Sequence, residues 1–331
     1  MRISLRSTVV VLLIFTTILT IVECIRPFGP KKDGTPQNPS NRTSIKDKIK
    51  SNGLVKFITK HVGGSSGKLT EDNVDKLVKL VLNDADLIKL AAYKKLVFLY
   101  KNAKSDEDRK PLIYGIIKSA TELIYYYFAE NKGSKAKTIF KEGQSYANKC
   151  IQITNEKGPC LKWKALLDAS LFFNLMKEKD TSLKKEFTRV ANSYKSAVEH
   201  LPNDKMLVNM SKRIGCEFKI MEKTRPKFID KIKSVNTLNS VTLFGGPGFD
   251  CLSTLLQLKG SINDEESGIY PLDYFHLIGR VYENQGEWQK AMEKLLEGRY
   301  YAPMLNQRAR FVNKKMQDDY EKIYLSKFAD K

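Results

Sequence analysis

Apolar residues recur at intervals of three and four along most of the chain, which is the spacing of one face of an α-helix. The segment near residue 74 is typical, with apolar positions at Val74, Leu77, Val78, Val81 and Leu82. The strict alternation that indicates a half-buried strand is hard to find. The pattern therefore predicts an all-α fold from about residue 70 onward.

Short polar stretches and Gly or Pro residues interrupt the helical pattern and predict the turns between helices. These breaks lie at Asn83-Asp84, Ser105-Asp106, Asn131 to Gly133, Gly158-Pro159, Asp180-Thr181, Pro202-Asn203 and Asp264 to Pro271. The segments between them are similar in length, which favours antiparallel helices joined by brief turns. Regular spacing of this kind is typical of a repeat array.

The segment from Tyr274 to Pro303 carries the residue pattern of a tetratricopeptide hairpin. Small residues fall where the two helices would cross, and larger ones fall beside them. The predicted packing positions are Phe275, Ile278, Gly279, Tyr282, Ala291, Leu295, Gly298 and Pro303. A single hairpin would leave one apolar face exposed, so neighbouring hairpins are expected.

Weaker copies of the same spacing lie upstream of this hairpin. Gly215 with Phe218 repeats the glycine-to-aromatic step, and Trp163 begins another unit that ends near Pro202. The predicted fold is a stack of antiparallel helical hairpins, a tetratricopeptide-like superhelical array over residues 70–305 with a C-terminal capping helix at 306–331. The inner helices of such an array line a concave channel suited to extended peptides, partner helices or an acyl chain.

Several motifs, in their order along the chain, resemble those of the regulator of microtubule dynamics family. They are "SYANKCIQITNEKGPCLKWKALL" with Cys160, Lys162 and Trp163, then "LPNDKMLVNMSKRIG", "TLFGGPGFD" and the final hairpin. The chain departs from that family at Ser211, Gly260 and Gly298. The resemblance implies microtubule association, organelle attachment for members with an N-terminal membrane segment, and a lipid-binding helical domain within the family.

The N-terminal residues 1–24 have the features of a signal peptide. Arg2 and Arg6 precede an apolar run from Thr8 to Val22, and cleavage is expected before Ile25. An uncleaved signal anchor is the alternative, with the basic residues that follow holding the repeat domain in the cytosol. Residues 25–69 are basic and rich in Pro, Gly, Ser and Asn, so they predict a mostly disordered linker. The predicted location is the secretory pathway or the cell exterior, with membrane anchoring as the alternative.

This location brings two further kinds of candidate site. Asn41 and Asn209 begin N-glycosylation sequons, and the second lies on a predicted helix. The candidate disulfide cysteines are Cys150, Cys160, Cys216 and Cys251. An oxidising compartment permits three pairings of them, and four thiols packed as small hydrophobes are the competing interpretation.

Lys and Arg outnumber Asp and Glu by 57 to 37, which gives a formal net charge of +20. Such a surface attracts acidic protein segments, anionic lipid or membrane surfaces, or nucleic acid. The lysines are spread along the chain without an RNA-binding or zinc-finger motif, which disfavours nucleic acid. The candidate basic binding patch is the densest helical cluster, Arg299, Arg308, Arg310, Lys314 and Lys315. A solvated capping face is its alternative interpretation.

Motifs for catalysis, cofactors or metals are missing from the sequence. "GGSSGKLT" at residues 63–70 is one residue short of a P-loop and has Leu69 in place of the magnesium-binding Ser or Thr. The histidines are isolated, and the aromatic run "IYYYF" at residues 124–128 is typical of a core, with a groove as the alternative. The sequence thus predicts a non-enzymatic scaffold that needs no cofactor or metal and binds acidic segments such as tubulin tails. A secreted or membrane-anchored lipid carrier is the second hypothesis.

Overall fold

The computed structural model describes residues 71–83, 85–175, 183–224, 226–233, 248–262, 271–301 and 307–329, and the structural statements below concern these residues. All described residues belong to one compact unit of the chain. The predicted leader and linker, Asn41 and Pro303 lie outside the described residues. Predictions about them stay predictions.

Every regular element in the described residues is a helix, which confirms the predicted all-α class. The α-helices are α1 (Glu71–Asn83), α2 (Asp86–Asn102), α3 (Asp106–Ala129), α4 (Gly133–Ile153), α5 (Lys157–Leu175), α6 (Leu183–His200), α7 (Lys205–Thr224), α8 (Pro226–Lys233), α9 (Cys251–Leu258), α10 (Pro271–Gln285), α11 (Trp288–Arg299) and α12 (Gln307–Lys327). A short 3₁₀ turn, Lys259–Ser261, extends α9. Within the described ranges, no helix combines the length and the apolar character that crossing a membrane requires.

The starts of α3 and α9 follow the local chemistry, since each is preceded by a residue whose side chain caps the helix. Ser105 precedes α3, and its hydroxyl accepts a hydrogen bond from the backbone N–H of Asp108 at 3.1 Å. The predicted break at Gly158-Pro159 is wrong, because both residues lie in the first turn of α5. Proline is tolerated there, since the N–H groups of a first turn have no partner inside the helix. The chain turns just before, at residues 154–156.

Consecutive helices pack in pairs, α3 with α4, α5 with α6 and α10 with α11. Helix α12 packs on α10 and α11 and also contacts α3, far earlier in the chain. The helical-repeat architecture is therefore confirmed, whereas its assignment to the tetratricopeptide type stays a prediction. The apolar side chains form two buried clusters, and α7 contributes Ile214 to the first cluster and Ile220 to the second.

The final hairpin, α10 and α11, packs closely at two glycines. A Cβ atom on Gly279 would lie 2.8 Å from Leu295 Cδ2, and one on Gly298 would overlap Phe275 Cβ and Met316 Cε. The predicted packing residues Phe275, Ile278, Tyr282, Ala291 and Leu295 are all buried. A side chain larger than glycine at position 298 would therefore clash, because α10 and α12 approach the backbone of Gly298 closely.

The four cysteines that follow the leader are paired. Cys150 at the end of α4 is bonded to Cys160 at the start of α5, and Cys216 of α7 is bonded to Cys251 of α9. The bonds join residues separated by 10 and 35 positions. In the chain-entropy model, loops of these lengths stabilise the fold by about 3 and about 4 kcal/mol. The structure thus selects one of the pairings that the sequence left open.

Candidate binding cavity and outer lysine surface

A cavity of about 470 Å³ lies among α3, α5, α7, α10 and α12. We call this space the inner cavity. Its charged lining comes mainly from side chains spaced three or four residues apart on α7, α10 and α12, so each helix turns one face toward it. These side chains are Arg213 and Glu217 of α7, Asp273, His276 and Arg280 of α10, and Arg308, Lys315, Asp318 and Asp319 of α12.

Ion pairs between these helices show that α7, α10 and α12 run in the same direction. Asp273 contacts Arg213 and Arg308, and one or two turns further on Arg280 contacts Glu217. Still further along, Lys322 of α12 pairs with Glu283 of α10 at 2.8 Å. The charged groups of the inner cavity are consequently arranged in levels across three parallel helices.

The deepest level is a chain of alternating charges. Lys89 Nζ lies 3.1 Å from Glu122 Oε1, and the second oxygen of Glu122 accepts a hydrogen bond from Arg308 at 2.5 Å. Arg308 also pairs with Asp273, which lies 3.6 Å from Arg213. Lys89 and Glu122 are 0% and 3% exposed, so these charges depend on one another rather than on water.

The next level contains two further pairs. Arg280 Nη1 lies 2.9 Å from Glu217 Oε2, and His276 Nε2 lies 2.9 Å from Asp319 Oδ2. Burial works against the charged form of Asp319, but the hydrogen bond and the charge of His276 prevail and hold the pKa of that carboxyl below its ordinary value. Nearby, burial raises the pKa of the Tyr125 phenol.

The first turn of α12 is hydrogen-bonded to α2, near the start of the array. Asp86 of α2 accepts hydrogen bonds from the backbone N–H of Gln307 at 2.8 Å and from Arg310 Nη2 at 3.0 Å. The guanidinium of Arg308 lies 4.4 Å from the ring centroid of Tyr125. Helix α12 therefore packs against the start of the array, and a concave channel for extended peptides, partner helices or an acyl chain stays a prediction.

The candidate basic patch does not form one exposed surface. Arg308 is buried between Glu122 and Asp273, so its assignment to a surface patch is wrong. Arg310 pairs with Asp86, and Lys315 lines the inner cavity with Nζ 4.6 Å from the Phe311 ring centroid. The two other members, Arg299 and Lys314, are exposed.

Exposed lysines occur along most of the described helices, and eight of them lie on α2, α4 and α6, whose side chains do not line the inner cavity. Tyr100 of α2 meets Tyr146 of α4 with ring centroids 5.1 Å apart, and Arg189 of α6 lies 4.4 Å from the Phe140 ring centroid of α4. These contacts bring α4 into side-chain contact with both α2 and α6. We call their exposed lysines the outer lysine surface: Lys94, Lys101, Lys135, Lys137, Lys141, Lys149, Lys185 and Lys195.

Acidic residues on these helices are few, and two of them are engaged in ion pairs. Asp86 binds Arg310, and Glu186 binds Arg189. The pKa of the Tyr93 phenol is raised by burial and by the nearby charge of Glu142. Glu199 is exposed near the end of α6. The outer lysine surface therefore carries an excess of positive charge in solvent.

Other residues singled out from the sequence have packing positions. Trp163 is half-buried, with Lys118 Nζ and Lys162 Nζ 5.5 and 5.8 Å from its ring centroid. Gly215 lies in α7 among buried residues. Asn209 is also buried in α7, so the predicted glycan at this position is incompatible with the folded helix. Of the aromatic run at 124–128, Tyr125 lines the inner cavity, whereas Ile124 and Tyr126 are core residues.

Throughout the described ranges, no group of His, Cys, Asp and Glu side chains is arranged to hold a metal ion. Comparisons of the chain with protein-family models, with curated proteins and with solved structures find no match. The resemblance to regulators of microtubule dynamics therefore depends on the sequence motifs alone, and it stays a prediction.

Proposed function

We propose that this protein is a non-enzymatic helical-repeat scaffold that binds acidic protein segments on the outer lysine surface. The observation that carries this proposal is the gathering of exposed lysines on adjacent helices that hold few free carboxylates. An enzymatic role has no comparable support in the inner cavity, where the acidic and basic side chains are largely engaged with one another.

A flexible acidic segment suits this surface better than a rigid partner does. A lysine ammonium is a compact charge on a long, mobile stem, so it accepts carboxylates in many geometries. Exposed ion pairs are weak individually, at about 0 to 1 kcal/mol, and binding therefore requires several of them at once. The Debye length is about 8 Å at physiological ionic strength, so affinity should fall steeply as salt is added.

The lipid-carrier hypothesis gains no support from the inner cavity. Arg213, Glu217, Asp273 and Arg280 would face an acyl chain there, and the chain would displace water from charged groups without replacing their hydrogen bonds. An anionic membrane surface remains a competitor for the outer lysine surface, and the experiment below separates it from an acidic protein segment.

The two disulfides favour an oxidising compartment, in agreement with the leader at residues 1–24. Tubulin tails are the acidic segments implied by the family resemblance, but they belong to the cytosol. We therefore propose an acidic protein segment of the secretory pathway or the cell exterior as the partner. Microtubules are the partner only if the chain is anchored with this domain in the cytosol.

The test compares two variants of equal charge change. Lys137→Glu with Lys141→Glu reverses two lysines one turn apart on α4, and Arg299→Glu with Lys314→Glu reverses two exposed residues outside the outer lysine surface. Fluorescence anisotropy with a labelled Glu-rich peptide should show affinity weakened about tenfold or more by the α4 variant. The control should lose less than about threefold, since its charges act only at long range.

Three outcomes would contradict the proposal. The first is no peptide binding by the unmodified protein at low salt, and the second is an equal loss of affinity in both variants, which would show that net charge alone acts. The third is strong binding to vesicles containing phosphatidylserine without any binding to the peptide, which would assign the surface to a membrane. Co-sedimentation with microtubules tests the cytosolic alternative with the same two variants.

A further inference from the structure

We propose that the inner cavity is a binding site for a small molecule that carries one oxyanion group, a carboxylate or a phosphate, with Arg213 as its main hydrogen-bond donor. This site is separate from the outer lysine surface, because α2, α4 and α6 contribute no side chain to the cavity lining. Its ligand is a compact molecule rather than a protein segment.

The guanidinium of Arg213 has donors to spare. It lies 3.6 Å from the nearer oxygen of Asp273, which is beyond hydrogen-bonding distance, and Asp273 is already engaged by Arg308. In the part of the chain that the structure describes, Arg213 makes no hydrogen bond. Its side chain is only 17% exposed, and it is permanently charged with five N–H donors. A ligand oxygen in the cavity would supply the missing acceptor.

The charge balance differs between the surroundings of Arg213 and the cavity as a whole. Behind the cavity wall, the cations Lys89, Arg308 and Arg213 meet only two carboxylates, Glu122 and Asp273. The lining itself balances, because it holds four cations, Arg213, Arg280, Arg308 and Lys315, and four carboxylates, Glu217, Asp273, Asp318 and Asp319. An oxyanion would therefore be held by the unused donors of Arg213 rather than by a net charge of the cavity. The carboxylates of the next level, on Glu217 and Asp319, are held by Arg280 and His276.

The space above Arg213 suits a molecule with a partly apolar body. The cavity volume of about 470 Å³ falls within the range of about 300 to 1,000 Å³ that is usual for small-molecule sites. Leu277, Val312 and Met221 supply apolar contacts along the walls. Lys315 adds a second cation, because its ammonium has no carboxylate partner among the described residues. An aromatic carboxylate or phosphate has the required combination of groups.

The experiment uses the purified full chain and four probes, which are benzoate, phenyl phosphate, inorganic phosphate and the neutral analogue benzamide. Isothermal titration and thermal unfolding should show one saturable site for benzoate or phenyl phosphate and none for benzamide. Stronger binding of phenyl phosphate than of benzoate assigns a phosphate ligand, and the reverse order assigns a carboxylate. Binding of inorganic phosphate alone would contradict the proposed molecule with an apolar body.

Variants connect the binding to named residues. Arg213→Gln should weaken binding at least tenfold, which is about 1.4 kcal/mol. The affinity of Arg213→Lys should lie between those of the unmodified protein and of Arg213→Gln. This variant keeps the charge but loses the planar fork of the guanidinium group. Lys141→Gln on the outer lysine surface is the control, and it should bind the probe with unchanged affinity. If Lys141→Gln lost affinity for the acidic peptide, its affinity for the small-molecule probe should still be unchanged. The peptide-binding proposal and the small-molecule proposal can therefore fail independently.

The proposal is overturned if no probe binds below about 10 mM. Equal binding of benzamide and benzoate, or unchanged affinity in Arg213→Gln, would also overturn it. If circular dichroism shows that Arg213→Gln does not fold, Lys315→Gln takes its place. That variant should reduce affinity about threefold, and an unchanged affinity would count against the site.

Discussion

The outer lysine surface and the inner cavity are built from the same residue types but treat charge in opposite ways. Lysines on α2, α4 and α6 stand in solvent with few acidic neighbours. Around the inner cavity the charges alternate, as in Lys89, Glu122, Arg308 and Asp273. Water screens an excess of one sign, whereas a buried charge must find a partner.

The comparison teaches that net charge describes a protein surface and not its interior. Part of the formal charge of +20 lies on the exposed lysines of the outer lysine surface, while Arg308 and Arg310 of the basic cluster that is densest in the sequence form ion pairs at the start of α12. Substitutions in the two regions should therefore differ in kind. Those in the inner region should act on stability, and those on the outer surface on binding.

The largest effect is expected for Glu122→Gln, which removes the negative charge between Lys89 and Arg308. Breaking a buried ion pair from one side costs about 3 to 5 kcal/mol, because the remaining charge stays buried without compensation. Urea unfolding of the purified variant measures this loss. Glu107→Gln is the matched control on the same helix, since its side chain is 82% exposed beside Lys110. A loss below about 1 kcal/mol in Glu122→Gln would remove the distinction between the two regions.

A smaller loss is expected for Gly298→Ala at the junction of α10, α11 and α12. The added methyl group would overlap Phe275 Cβ and Met316 Cε, and overpacking of this kind costs about 1 to 3 kcal/mol. Gly260→Ala is the control, because nothing lies within 4 Å of the position where its Cβ would be. Thermal unfolding should separate the two variants. Equal melting temperatures for Gly298→Ala and Gly260→Ala would show that α12 packs loosely enough against α10 and α11 to accept the added methyl group.

A still smaller effect should follow the pKa of Asp319, which is lower in the folded chain than its ordinary value of 3.8. A depressed pKa contributes stability above pH 3.8, and this contribution is lost as the pH falls through the folded pKa. The pair with His276 is partly solvated, so its contribution should stay below about 1 kcal/mol. Unfolding free energies between pH 5 and about pH 2.5 measure it. If the free energy of unfolding of Asp319→Asn changed with pH as much as that of the unmodified protein, the effect would belong to other carboxyl groups.

The smallest change in stability is expected on the outer lysine surface. Lys137→Glu with Lys141→Glu should alter the free energy of unfolding by no more than about 0.5 kcal/mol, because both side chains are exposed. Urea unfolding at two salt concentrations measures it. A loss above about 2 kcal/mol would mean that the charges of the outer lysine surface support the fold as the inner ones do, and the comparison between outer and inner charges would then break down.

The helices could be predicted because the helical period is local. The apolar spacing around Val74 and the cap at Ser105 are each decided by residues within one or two turns. The positions Phe275 and Gly279 were likewise found from spacing within one hairpin. The Gly158-Pro159 break was mispredicted because proline ends a helix interior but is accepted in a first turn.

The binding surfaces could not be predicted in the same way, because their partners are distant in sequence. Arg308 pairs with a carboxylate 186 residues earlier, and its own neighbours in sequence suggest an exposed basic helix. The lysines of the outer lysine surface are dispersed in the sequence, because they belong to three separate helices. A signal did exist, since Lys137, Lys141 and Lys149 recur at multiples of four on the side of α4 opposite its buried residues.

Asp86 couples the two ends of the domain, because one carboxylate near its beginning caps the helix at its end. In an open solenoid each repeat depends only on its neighbours, and assembly can begin anywhere and spread. Here the chain emerging from the ribosome must reach residue 310 before Asp86 and Glu122 find their arginines. The first hairpins therefore wait for α12, and loss of that helix would remove the contacts that Asp86 and Glu122 make with it.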